Sequence, residues 1–165
     1  MTADSTVSQF YQNVLQREPS AEELVAWATA SAADGMTDAQ VLANVIASPE
    51  AQIFTAQVCR FYQAAFGRGP DLTGIRGWVK DLRDGTLTID GFADALIGST
   101  EWQLRYGGIQ VTTAVLTGLY QNVLGRTPSG AEIDAWQASG KSMPEVFIGF
   151  VNSPEFRADV DCEVE

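Results

Sequence analysis

Apolar residues recur along the chain at helical spacing. Val7, Phe10, Tyr11, Val14 and Leu15 fall at i, i+3, i+4, i+7 and i+8, which places them on one face of a 3.6-residue helix. The same comb returns at Val58, Phe61, Tyr62, Ala65 and Phe66, and again at Leu116, Leu119, Tyr120, Val123 and Leu124. No strand-like alternation competes with it. Each comb is followed by a loop carrying Arg-x-Pro and then by two further helical patterns. The first of these presents Leu24 and Trp27, Ile75 and Trp78, or Ile133 and Trp136. The second presents Val41, Leu42, Val45 and Ile46, then Phe92, Ala93, Leu96 and Ile97, then Val146, Phe147, Phe150 and Val151. Start signals agree with the periodicity: Ser20-x-x-Glu23, Ser129-x-x-Glu132, Thr37-x-x-Gln40 and Ser142-x-x-Glu145 are capping boxes, and Asp71 and Thr88 open the middle helices. Gly35, Gly85 and Gly140 supply the left-handed residue that ends a helix. The pattern predicts an all-α fold.

The chain also repeats itself. Tyr11, Arg17, Pro19 and Trp27 return as Tyr62, Arg68, Pro70 and Trp78, and then as Tyr120, Arg126, Pro128 and Trp136. Each copy closes on Ser48-Pro49-Glu50, Ser99-Thr100-Glu101 or Ser153-Pro154-Glu155, and the third is shorter by four residues between Trp and Ser. Repetition at this many fixed offsets predicts a tandem array of three roughly 50-residue, three-helix repeats packed into one compact body. The expected units are residues 1–54, 55–112 and 113–165, the last ending in an acidic tail. Nothing breaks a helix between Pro49 and Phe66, so the first two copies are expected to share one. Gly107-Gly108 interrupts the second junction and reads as the hinge.

Composition narrows the chemistry. The 165 residues contain no histidine, which excludes Ser-His-Asp and Cys-His catalysis. Two cysteines, Cys59 and Cys162, do not make a zinc site or a disulfide framework; Cys59 reads as a buried, inert thiol. Lys+Arg 10 against Asp+Glu 21 gives a formal charge of -11, which repels nucleic acid. No EF-hand loop can be registered on Gly35 or Gly85, where the first ligand positions would be Ala30 and Lys80. No catalytic residue, metal or cofactor is expected, and no enzyme activity. No apolar stretch is long enough for a membrane span. The Met1–Thr6 segment carries an acid where a signal peptide needs positive charge, so the chain is expected either to stay in the cytoplasm or to leave by a route that needs no cleavable leader.

The run Leu119-Tyr120, Leu124-Gly125-Arg126, Pro128, Trp136 and Ser153-Pro154-Glu155-Phe156 resembles a bacterial family known as domain of unknown function 4214. The middle copy has Thr100 and Trp102 in place of the Pro and Phe, and the first has Gln16 for the Gly and Ala51 for the Phe. The resemblance implies all-helical tandem modules, distantly similar to phycobilisome linker domains and common in large secreted or surface proteins of bacteria. It implies no catalytic residues.

Two sets of residues stand out as candidates. Tyr, Arg and Trp of each copy could stack a sugar. Alternatively, the arginines cap the last carbonyls of the first helix while Tyr and Trp fill the core. The second set is electrostatic. All six bases of residues 55–112, among them Arg76 and Arg83, lie between acidic neighbours, an arrangement suited to docking on an acidic protein partner. Trp102, Tyr106, Ile109 and Phe156 lie near copy ends and are expected to anchor that surface. The expected function is a non-enzymatic building block for assembly or attachment. It would be a homo-oligomer or part of a larger extracellular, cell-surface or particle-borne structure such as a spike. The alternative is a carbohydrate-binding module that recognises a cell-surface glycan through exposed aromatics such as Trp102 or Tyr106.

Overall fold

Side-chain caps decide where the helices begin. In the computed structural model, which describes residues 3–156, the hydroxyls of Ser20, Thr37, Thr88, Ser99, Thr112 and Ser129 and the carboxylate of Asp71 each accept the backbone N–H of the third helical residue. Each such bond satisfies one of the otherwise orphaned first-turn donors. Ten α-helices result, with no strand among the described residues: α1 Ala3–Phe10, α2 Ala21–Asp34, α3 Asp38–Ile46, α4 Ala56–Phe66, α5 Leu72–Arg83, α6 Ile89–Ile97, α7 Thr100–Tyr106, α8 Thr113–Val123, α9 Gly130–Ala138 and α10 Met143–Val151. The all-α class is thus borne out. Gly35, Gly85 and Gly140 all adopt positive φ at helix ends, where a side chain would be strained.

Two wide π-helical turns, Tyr11–Leu15 at the end of α1 and Ala51–Thr55 at the start of α4, pack against each other. The second continues into α4, so the helix runs unbroken from residue 49 to 66 and joins the first two copies as expected. Thr55 is buried where the turns meet, and its hydroxyl donates to the Val14 carbonyl at 2.7 Å.

The core divides in two. Val7, Tyr11, Leu15, Val41, Val45 and Ala51 form the smaller cluster. The larger spans the second and third copies without a break: the Phe61 ring lies 5.4 Å from Phe92 and 5.6 Å from Phe147. Ile46 departs from expectation. It sits on the last turn of α3 and is 47% exposed.

The junction before α8 corrects a second expectation. Gly107 does end α7 in the left-handed conformation, but the turn is pinned, because the Trp102 indole N–H donates to the Gly108 carbonyl at 2.9 Å. Trp102 itself is fully buried, 5.1 Å edge-on from Phe147 and 4.3 Å from Tyr106. Gly107-Gly108 therefore turns the chain at the surface, beside a core that the second and third copies share. The acidic tail from Asp159 and Cys162 lie outside the described residues. Cys59 is buried, as expected.

Candidate functional site

The repeated Tyr, Arg and Trp come together in every copy, and they engage one another. The indole N–H of Trp27 donates to the Tyr11 hydroxyl at 2.9 Å, Trp78 to Tyr62 at 2.9 Å, and Trp136 to Tyr120 at 3.1 Å. The arginine lies over the same tyrosine ring, with its guanidinium carbon 5.0 Å from the Tyr11 centroid, 5.7 Å from Tyr62 and 4.8 Å from Tyr120. The tyrosines are buried and the tryptophans half-buried against the cores. One end of each indole is polar and bonded, which is what permits an aromatic of that size to sit there.

Each arginine is also a staple. Arg17 donates from Nη1 and Nη2 to both oxygens of Glu23, at 2.8 and 2.7 Å, and from Nε and Nη2 to both oxygens of Glu50, each at 2.8 Å. Arg126 grips Glu132 at 2.7 and 3.1 Å and Glu155 at 2.8 and 3.0 Å in the same way. Arg68 holds Glu101 at 3.0 and 2.7 Å. The carboxylate matching Glu23 is missing in the middle copy, where Gly74 stands instead and a Cβ would come within 3.3 Å of the Tyr62 hydroxyl. Glu23 and Glu132 belong to the capping boxes of α2 and α9. One guanidinium thus fastens the start of the second helix to the Ser-x-Glu turn that closes the copy. These bonds hold the Glu23 and Glu132 carboxyls down to about 2, with the arginine bonds the largest cause.

The expectation that these arginines cap the first helix is corrected. That task falls to the following copy or junction: Arg83 donates to the Leu15 carbonyl and Arg105 to the Phe66 carbonyl, both at 3.1 Å. The glutamates were missed as partners. Their signal was present as acids at fixed offsets after each arginine, but helical periodicity does not pair residues across loops.

The family model described as Domain of unknown function (DUF4214) matches residues 2–54 and 93–160. The chain belongs to the DUF4214 family. Both matched stretches contain the doubly bonded arginine, Arg17 or Arg126, together with its two glutamates. The unmatched stretch holds Arg68 and Trp78, with Gly74 at the place of Glu23. No curated protein and no solved structure matches the chain.

The expected interaction surface of this DUF4214 protein is largely dismantled by burial. Trp102 and Tyr106 are inside, the latter donating its hydroxyl to the Ala64 carbonyl at 3.3 Å. Phe156 is half-buried against the larger core. The reason lies in the repeat itself, since Trp102 and Phe156 occupy the position of Ala51, which is also buried. Arg83 is held by Leu15 and lies 3.5 Å from Glu50. Arg76 and Ile109 alone of that set are exposed. Among the described residues no group of three or more metal-ligating side chains occurs, and no helix is long and apolar enough to cross a membrane.

Proposed function

We propose that this DUF4214 protein is a non-enzymatic building block whose helical array presents surfaces for assembly with other protein chains. The observation that supports this reading is the pattern of apolar residues left outside the cores. Ile53 and Leu104 occupy the same place in successive copies, 51 residues apart. They are 55% and 84% exposed, while the chemistry-bearing residues of the repeat are occupied with internal ties. Large aliphatics kept at equivalent exposed places are better suited to contacts between chains than to catalysis. Sedimentation of the purified chain over a range of concentrations tests the reading. Reversible association that is weakened by Ile53→Ser with Leu104→Ser supports it, and a strict monomer that captures no protein partner overturns it.

A further inference from the structure

One residue breaks the backbone rule of the repeat. Gln16 has φ 56, in the left-handed region, where the other two copies place Gly67 and Gly125. Among the described residues it is the one non-glycine with positive φ, and a side chain held in that conformation carries strain. What the glutamine supplies is a set of bonds. Its Nε2 donates to the Asn13 carbonyl at 2.7 Å, and its Oε1 accepts from Arg76 Nε at 3.3 Å. Beside it lies a cleft of about 340 Å³ lined by Gln12, Gln16, Arg17, Glu18 and Arg76, within the lower range of ligand-sized clefts.

The lining carries no apolar residue. Arg17 is neutralised by Glu23 and Glu50. Arg76 is exposed and has no carboxylate partner among the described residues. Glu18 accepts from the Gln12 amide. The cleft therefore offers one guanidinium that holds Gln16 through Nε but no carboxylate, two amides that both donate and accept, and one carboxylate acceptor. A guanidinium fork matches a carboxylate, while amides and a carboxylate rim match hydroxyls. Glu18, with Glu50 close behind Arg17, opposes a multiply charged group such as a phosphate ester. We propose that this cleft binds a singly charged, hydroxyl-rich ligand, a carboxylated monosaccharide of the uronic-acid class. Arg76 would take the carboxylate, and Gln12, Gln16 and Glu18 the ring hydroxyls. The site is distinct from the aromatic stacking surface that burial removes, and it does not depend on the assembly reading.

The test is calorimetric titration of the whole chain with glucuronate, glucose and acetate, repeated on Arg76→Gln and Gln16→Gly, with melting temperatures measured in parallel. Glucuronate should bind at least about tenfold more tightly than either glucose or acetate, and both variants should lose about tenfold or more. Gln16→Gly should at the same time melt higher than the parent, since glycine relieves the left-handed strain. No binding of glucuronate, equal binding of acetate, or variants that bind like the parent would each overturn the proposal. So would a lower melting temperature for Gln16→Gly, which would make the glutamine a structural tie.

Discussion

The Trp136 indole N–H reaches back sixteen residues to the Tyr120 hydroxyl, and the same bond at the same separation joins Trp27 to Tyr11 and Trp78 to Tyr62. Removing the acceptor leaves a half-buried indole N–H without its partner. Tyr62→Phe should therefore destabilise the chain by about 1–3 kcal/mol. Chemical denaturation measures this, and a double-mutant cycle with Trp78→Phe should recover a coupling energy well above zero.

Trp102 should matter more than any of the three repeated tryptophans. It is fully buried and touches rings of the second and third copies, whereas Trp27, Trp78 and Trp136 are half-buried. Trp102→Ala should cost about 3–5 kcal/mol, and Trp27→Ala clearly less. Equal losses in denaturant titrations would contradict the shared core.

Acid should loosen the staples. Glu23 and Glu132 titrate at about 2 in the folded chain, below the ordinary glutamate value of roughly 4.3. A depressed folded value means stabilisation that is complete above the unfolded value and is lost as pH falls through the folded one. The melting temperature should accordingly drop between about pH 4.5 and 2. Glu23→Gln should flatten that part of the profile and lower stability at neutral pH.

The continuous helix from 49 to 66 gives a backbone test. The Ala56 N–H donates to the Ala51 carbonyl, and proline at Ala56 removes that bond and clashes with the preceding turn. Ala56→Pro should cost about 3 kcal/mol or more by thermal melting.

Arg76 and Arg83 should separate in their effects on stability. Arg83→Glu would place an acid beside Glu50 and strip the Leu15 carbonyl of its donor, at about 1–3 kcal/mol. Arg76→Glu, on the exposed side, should shift stability by no more than about 0.5 kcal/mol. Circular dichroism melts of the two single variants suffice to check this.

Helix positions, caps and the inward faces of the second and third copies were readable because each depends on residues within a few positions of one another. Phe61, Phe92 and Phe147 point inward as their spacing predicts. Trp102 and Tyr106 were misread because periodicity assigns a face without saying what meets it. A residue near the end of one copy is deep in the core when the next copy folds over it. The arginine–glutamate ties escaped for a related reason, since 33 residues separate Arg17 from Glu50 and Arg68 from Glu101, a distance no local pattern spans. Gln16 was visible as a departure from glycine, but its strain and its bond to Arg76, 60 residues on, appear only in three dimensions.

The carbonyls at the end of one copy's first helix are finished by arginines that come later in the chain: Arg83 for Leu15, Arg105 for Phe66. This gives the array a direction in time. A nascent chain emerging from the ribosome exposes its first comb early, yet that helix waits for Arg83 to emerge before its end is sealed, and the second waits for Arg105. Structure should consolidate in a wave that lags synthesis by tens of residues, and a nascent chain arrested before Arg83 should be nicked by protease near Leu15, where one arrested later is protected.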